Sequence, residues 1–597
     1  MNNPANMNSR TIILLFIGTI LFGLFGLSNA AYCQNNQNQQ QKGALLPNIS
    51  PQDIEIQGKY QAHFPGLKRQ PILGFKPNHE AFQINPNRTP FMGNGNQEGT
   101  SLPVSQLSRP TPPQFNALNT TNSISTFARL GYGRYKSPEA RYWGAYPMND
   151  STSYVGIGVN LSSSAGHLDN RPSSFRFLNI RGAYDTKVND NTTLKLHAGL
   201  QNDFNYPVVF KNSGLQNTFL PTPDSSASAS LENFHIKNRG YHGGIVLRKF
   251  RNDISGWKLK ADVRSFKTKF NSQPLGGSIS EATYDGYFSN TWALDHPNET
   301  LSIKAGGRGG NYNPQNSGNQ QWGTLQAGVA YKRLFNYQTH VDLAARIYYV
   351  SDKKQSKVYP GGYIKLDHSF GNRLKITGKV QGKPHLNTVE DLHNRNRFLG
   401  YDNSLVHTYT FDVIGKADIK YYRGSKLHFG ATYTNYQNYA YFTPNTIPNP
   451  SSGPGLDEYT VNYKNATNFK LYAGLTQQLL PERFWFTGKI YVQHPQLSGG
   501  GKIPFQENWG LNASTTIRPI DRISIKGWAN YTSKRHTGIN NNTVGGYLLV
   551  GGQLDVNITD NIGVYGKVVN LLNQHYQVWQ GYQERPIQVF GGITLKF

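Results

Sequence analysis

From Ser123 to Phe597 apolar and polar residues take turns along the chain in segments of about 10 to 14 residues. Trp257, Leu259, Ala261 and Val263 alternate with Lys258, Lys260, Asp262 and Arg264. Val341, Leu343, Ala345, Ile347 and Tyr349 alternate with His340, Asp342, Ala344, Arg346 and Tyr348, and Leu194, Leu196, Ala198 and Leu200 with Lys195, His197, Gly199 and Gln201. Successive side chains of a strand point to opposite faces, so each of these strands separates an apolar medium from a wet one.

The connections are of two kinds. Phe250-Arg251-Asn252-Asp253, Phe335-Asn336-Tyr337-Gln338, Phe370-Gly371-Asn372 and Tyr422-Arg423-Gly424-Ser425 read as tight hairpin turns. Between them lie long polar stretches, among them Tyr206 to Glu232, Asn311 to Gln321, Thr443 to Glu458 and Pro495 to Gln506. Short turns at one end and long loops at the other are the mark of an antiparallel transmembrane β-barrel, against a β-sandwich or a string of small β-domains. About 21 candidate strands can be read; single-chain barrels have an even number, and about 22 is the nearest large class. They include Ser123–Lys136, Thr192–Phe204, Trp322–Phe335, Ser425–Tyr436, Phe484–His494, Asn508–Pro519, Tyr547–Ile558 and Pro586–Phe597. The last strand, with Val589, Gly591, Ile593, Leu595 and Phe597 on one face, ends on an aromatic residue, and Ile593, Leu595 and Phe597 fit a signal read by barrel-assembly machinery.

The region before the barrel has a different texture. Arg10 precedes an apolar run, Thr11 to Leu27, and Ser28-Asn29-Ala30-Ala31 follows, which reads as a signal peptide over residues 1–30 rather than a retained anchor helix. Cys33 is the single cysteine, so no internal disulfide forms; Tyr32 before it argues against a lipid anchor. Residues 31–122 hold a polar tail, Gln34 to Lys42, and then eleven prolines between Pro47 and Pro113. Proline lacks the N–H and fixes φ, so this stretch cannot sustain a sheet. Its apolar islands Ile54-Glu55-Ile56, Phe64-Pro65-Gly66-Leu67 and Pro71-Ile72-Leu73-Gly74-Phe75 suit an extended periplasmic strip that docks a periplasmic or lipoprotein partner; a disordered linker is the alternative.

Composition narrows the picture further. With 60 Lys+Arg against 34 Asp+Glu the net charge is +26, only 37% of residues are hydrophobic, and 61 are glycine. Thirty-six Tyr, 31 Phe and 8 Trp exclude a disordered chain, and the single long apolar run excludes a helical membrane bundle. Much of the positive charge falls on the polar side of strands, at Lys258, Lys260, Arg264, Arg346, Lys375 and Lys379. A lumen so lined would favour anions, unless the charge only wets the channel or meets lipid headgroups. Nucleic acid is excluded as a partner, because the basic residues are spread and the chain is exported.

The sixteen His residues show no metal-binding spacing on a helix, no G-x-S-x-G elbow occurs, and no cofactor is implied, so an enzyme is not expected. Gly306 to Gly310 resembles a phosphate loop only superficially and reads as the entry to a wide loop. Asp391, His393, Asn394, Arg395, Asn396 and Arg397 form a polar cluster read as a hydrated loop ahead of a strand from Thr408 to Tyr422.

Several short stretches resemble the barrel of TonB-dependent receptors, in the plug-lacking form common in Bacteroidota. They are Lys567-Val568-Val569-Asn570-Leu571-Leu572-Asn573 with Tyr576, Leu161 to Gly166, Asn205-Tyr206-Pro207 and His407-Thr408-Tyr409. The islands around Ile54, Phe64 and Arg69 to Phe75 are similar to that group's N-terminal extension. The resemblance implies an outer-membrane barrel over 123–597 that acts as a passive or partner-assisted transport pore. Residues 31–122 are too few and too proline-rich for the plug and TonB-contacting box of a gated receptor. The alternative function is a non-conducting structural barrel within a larger envelope assembly.

Overall fold

The computed structural model describes residues 125–148, 153–167, 173–206, 235–252, 254–271, 277–296, 299–314, 318–336, 338–400, 403–422, 424–444, 459–480, 483–538 and 542–596. The signal peptide, the proline-rich strip, the question of a plug, and Phe597 lie outside them. In chain order the first strands are β1 (Ser125–Gly133), β2 (Ser137–Met148), β3 (Ser153–Ser164), β4 (Phe175–Asn189), β5 (Thr192–Asn205), β6 (His235–Phe250) and β7 (Gly256–Asn271). Then come β8 (Gly277–Ala293), β9 (Thr300–Asn313), β10 (Gln320–Asn336), β11 (Thr339–Ser351), β12 (Ser356–Phe370) and β13 (Leu374–Leu386). A helix, α1 (Val389–Arg395), precedes β14 (His407–Tyr422), β15 (Ser425–Pro444), β16 (Tyr459–Leu480), β17 (Phe484–Leu497), β18 (Trp509–Ile520) and β19 (Ile523–Thr532). A small hairpin, β20 (Arg535–His536) with β21 (Thr543–Val544), stands apart before β22 (Tyr547–Asn557), β23 (Ile562–Val569) and β24 (Gln588–Lys596).

The 22 strands other than β20 and β21 form one antiparallel sheet, and β24 pairs with β1 to close it. A closed sheet has no unpaired edge, which is what a strand-built membrane span requires. No helix among the described residues is long and apolar enough to cross a membrane. The expected turns at Phe250, Phe335, Phe370 and Tyr422 all join strands. Two readings need correction. Gly306 to Gly310 lies within β9, not at a loop entry, and β9 and β10 claim both ends of the stretch taken as a loop from Asn311 to Gln321.

The alternation holds in space. Leu259 and Val263 on β7 are exposed, as are Ile347 (63%) and Val358 (64%) on β11 and β12. Large aliphatic side chains left in water each forfeit about 1.5–3 kcal/mol, so a wall of them calls for a hydrocarbon solvent. At or within one residue of the strand end at each short turn stands an exposed apolar or aromatic side chain: Met148, Val188, Phe250, Leu294, Phe335, Phe370, Tyr422, Leu480, Ile520 and Ile558.

Glycine and aromatic residues interlock on the inner face. A Cβ at Gly310 would lie 2.6 Å from the indole of Trp322, and one at Gly306 would press on the backbone and Cβ of the facing Tyr287. The Trp322 ring lies across β9 because that strand offers no side chain there. The same logic accounts for a chain rich in both residue types.

Closure is reinforced by buried charge. Arg129 Nη2 on β1 donates to Asp555 Oδ1 on β22 at 2.7 Å, and Lys526 Nζ reaches the other oxygen at 3.2 Å. Glu139 on β2 accepts from Lys567 Nζ at 2.6 Å and from the Tyr565 hydroxyl at 2.5 Å, both on β23. These pairs bridge the strands that flank the β1–β24 seam, where the register runs over seven residue pairs, Phe127↔Lys596 to Gly133↔Phe590.

Candidate functional site

A single-layered barrel that is lipid-facing outside and wet inside has little reason to bury apolar side chains within its lumen. This one does so at its long-loop end. Phe266 and Phe270, on the same face of β7 as Lys258 and Lys260, are buried together with Ile279, Trp322, Leu392, Phe398 and Trp579 in one cluster. What covers them is a cap built from loops.

The first part of the cap is the β13–β14 connection. Thr388 Oγ1 accepts from the Asp391 N–H at 3.1 Å, and the Thr388 N–H donates to Asp391 Oδ2 at 3.3 Å, a reciprocal capping box that starts α1. The Val389 N–H donates to Glu281 Oε2 of β8 at 2.7 Å, and Trp322 Nε1 of β10 donates to Oε1 of the same carboxylate at 3.2 Å. Seven residues are too few to hold a helix alone, so packing of Val389, Leu392 and His393 against the wall sustains it. Beyond it Phe398 and Gly400 pair with Tyr459, the first residue of β16, and Arg395 donates to the Ala440 carbonyl at 2.8 Å. The connection thus crosses from β7 and β8 to β15 and β16.

The second part is the β23–β24 connection, residues 570–587. Tyr582 stacks on Phe398 with ring centroids 3.5 Å apart, and Trp579 packs edge-on against Phe442 and Tyr459 and tilted against Phe505 of the β17–β18 connection. Arg535 of the β20–β21 hairpin is fully buried and donates to the carbonyls of Val578 and Gln577 at 2.9 and 2.6 Å. Arg397 Nη2 and Glu584 Oε1, 3.2 Å apart, tie the two large connections directly. The cluster Asp391 to Arg397 is therefore a buried helix and strap rather than a hydrated loop. Val389 and Leu392 are too few to set a helical period, and Leu386, Phe398 and Leu399, which are buried with them, lie outside the seven-residue helix.

His393 sits inside this core against Phe266 and Phe270, ring centroids 6.0 and 6.2 Å away. Neither ring nitrogen has a hydrogen-bond partner among the described residues. Burial pushes its pKa down to about 3, so the imidazole is neutral. A histidine whose folded pKa lies below its unfolded value of about 6.5 lends stability that is complete above that value and falls as pH drops toward 3. By pH 4 the loss from this group is about 3 kcal/mol. Burial raises the pKa of Glu390, which acts in the opposite sense. His393→Leu isolates the term: it is expected to slow hydrogen exchange across 389–400 at pH 7 and to remove most of the acid-induced speeding between pH 7 and pH 4.

The basic residues read from the sequence keep to one face of each strand. Lys258, Lys260 and Arg264 share the face of β7 that also carries Phe266 and Phe270, Arg346 lies on the face of β11 opposite Ile347, and Lys375 and Lys379 share one face of β13. The structure gathers some of them. The ammonium groups of Lys258, Lys260 and Lys304 stand 5.5, 5.9 and 4.2 Å from the ring of Tyr287, and Arg346 and Lys379 each stand 5.7 Å from that of Tyr363. Arg264 lies nearer the cap, between Asp262 and Phe266 on its strand. Part of this charge is answered locally. Lys260 pairs with Asp262 and lies 3.9 Å from Asp285, while Lys365 and Lys375 share Asp367 at 2.9 and 3.4 Å. Among the described residues no carboxylate lies within ion-pair distance of Lys304, Arg346 or Lys379. Lys304, Tyr287 and Tyr363 went unread because register, invisible in one sequence, is what brings them to the same height.

No family model and no curated protein matches the sequence. Solved structures do match in fold. The siderophore receptor PirA from Acinetobacter baumannii superposes with a TM-score of 0.62 at 10% identity, covering 80% of this chain and 81% of that one. The FrpB iron transporter from Neisseria meningitidis gives 0.61 at 8% identity, covering 80% and 82%. The ferripyoverdine receptor of the outer membrane of Pseudomonas aeruginosa gives 0.58 at 11% identity, covering 80% and 72%. At these identities the likeness is one of fold: a closed 22-strand barrel of the kind found in outer-membrane receptors and transporters.

Proposed function

We propose that this chain is an outer-membrane transport barrel, similar to TonB-dependent receptors, whose passage is partner-assisted rather than passive. The observation that carries the reading is the cap. An apolar core of interlocked loops at the long-loop mouth is a built closure, and a passive pore has no use for one. The lysine- and arginine-lined wall beneath it is what a conduit for water and solute requires and what lipid would exclude. Its neighbours in fold include a receptor of the outer membrane and an iron transporter, which supports both the location and the transport role. Within the same reading residues 1–30 direct export, the final strand with Ile593, Leu595 and Phe597 serves the assembly machinery, and residues 47–113 dock the periplasmic or lipoprotein partner that drives opening.

The second reading, a structural barrel that never conducts, also accommodates a cap. The two separate in cells through a removable lock. Phe398→Cys with Tyr582→Cys, in a Cys33→Ser background, places a disulfide across the stacked pair. Under oxidising conditions a transporter so locked reproduces the phenotype of deleting the gene, and reductant reverses it. A structural barrel is indifferent to the lock.

A further inference from the structure

The cap contains a second feature that its packing does not use. Three connections at the long-loop end, β3–β4, β13–β14 and β23–β24, meet around a cavity of ≈ 30 Å³ lined by His167, Ser173, Phe175, Arg397, Tyr582 and Arg585, among others. That is room for the end of a small group, one or two water-sized atoms, rather than for a whole solute. Two guanidiniums face it. Arg585 is buried and lies 4.4 Å over the ring of Phe175, and Arg397 lies 4.6 Å over that of Phe398. One carboxylate, Glu584, serves them, through Arg397 Nη2.

The Nε–H edges of both arginines are buried and have no hydrogen-bond partner among the described residues. A buried guanidinium edge left unmet is costly, and it is the edge that presents parallel donors to an oxyanion. The surroundings agree in sign: burial and the neighbouring Arg585 and Arg397 push the pKa of His167 down to about 4. Burial likewise pulls Arg585 down to about 10, against the attraction of Glu584. Phe175 and Asn205, buried at the long-loop ends of β4 and β5, set the cavity against the wall beneath the cap.

Resting on the transport reading, we propose that this notch binds a carboxylate group of a water-borne solute, whose two oxygens match the room available. The bound group competes with Glu584 for Arg397 and so loosens the tie between the two main cap connections. Recognition and opening then share one ion pair: the solute that enters end-on is the one that releases the strap. No bond is made or broken, only hydrogen-bond partners are exchanged.

Calorimetric titration of the purified full chain in detergent tests this, with citrate and acetate as carboxylate probes and glucose as the neutral control. Saturable binding of at least one anion and none of glucose is expected. Arg585→Gln should weaken binding ten-fold or more, the scale of one charge-assisted hydrogen bond. Glu584→Gln, which removes the internal competitor, should tighten it several-fold. Retention of the heat-shifted band of the folded barrel on electrophoresis confirms that each variant is folded. If Arg585→Gln loses that band, Arg397→Lys, which keeps the charge and loses the fork, should give the weakening instead. Absence of saturable binding of either anion, an unchanged affinity in a folded Arg585→Gln protein, or a weakening in Glu584→Gln overturns the proposal. Binding behaves independently of the transport reading: a barrel that binds citrate yet is indifferent to the cap lock refutes transport and leaves the notch standing.

Discussion

Glu139→Ala is expected to lower the unfolding temperature of the barrel more than any other single change to its wall. The Glu139 carboxylate holds Lys567 Nζ at 2.6 Å and the Tyr565 hydroxyl at 2.5 Å across the narrow seam, and the side chains of the ion pair are over nine-tenths buried. Alanine would strand a buried ammonium beside Arg141 and Arg129 with its counter-charge gone. Breaking a buried pair in this way costs about 3–5 kcal/mol. The readout is the temperature at which the heat-shifted electrophoretic band disappears. Glu139→Leu with Lys567→Met, which removes both charges, should recover most of the loss, since an apolar pair of similar volume pays no desolvation. An unfolding temperature in Glu139→Ala equal to that of wild type would show that the seam is held by its backbone ladder alone.

The second large effect belongs to the cap. Trp579 meets Phe442, Tyr459 and Phe505, and Phe398 stacks on Tyr582, so these two side chains join three separate connections. Truncating a buried Phe or Trp to alanine costs about 3–5 kcal/mol. The cap is held by side-chain packing, whereas the wall is held by continuous ladders between neighbouring strands. Phe398→Ala with Trp579→Ala is therefore expected to open the mouth and leave the barrel intact. The sign to look for is faster proteolysis within 387–406 and 570–587, together with an unchanged heat-shifted band. Equal proteolysis in variant and wild type would mean that the loops do not depend on this core.

The barrel was legible in the sequence because membrane and lumen impose a period of two on every strand. Trp257 to Arg264 and Val341 to Tyr349 announce both solvents at once, and the tight turns at Phe250, Phe335, Phe370 and Tyr422 mark one rim. The count came within reach as well: about 21 strands can be read, and an all-antiparallel closure needs an even number, 22 or 20. The same alternation sets Lys258, Lys260, Arg264, Arg346, Lys375 and Lys379 on the strand faces opposite their apolar neighbours.

The cap was not legible, for three physical reasons. Its core is assembled from residues hundreds of positions apart, such as Phe266, Phe398 and Trp579, and no local period links them. Its helix is one of seven residues, below the length at which periodicity speaks, although Thr388 with Asp391 was a usable start signal. Its charges, Arg395, Arg397, Arg535 and Arg585, look like solvated loop residues until their carbonyl and aromatic partners are in place. Gly306 to Gly310 points in the opposite direction: glycines inside a strand make sense once Trp322 is seen lying across Gly310 and Tyr287 pressed against Gly306.

The net charge of +26 acquires structure from the same facts. Some of it closes the seam, some is balanced by Asp262, Asp285 and Asp367, and some pins the cap through Arg395, Arg397 and Arg535. The remainder, at Lys304, Arg346 and Lys379, gathers around the rings of Tyr287 and Tyr363.

Single-channel recording in a planar bilayer at neutral pH tests the central claim most directly, with the full-length wild-type chain on its own and then the Phe398→Ala, Trp579→Ala variant under identical conditions. A wild type that inserts but stays silent, beside a variant that conducts in stable steps, is the result expected of a barrel shut by its own cap. Stable ion conduction by the wild-type chain alone would contradict it.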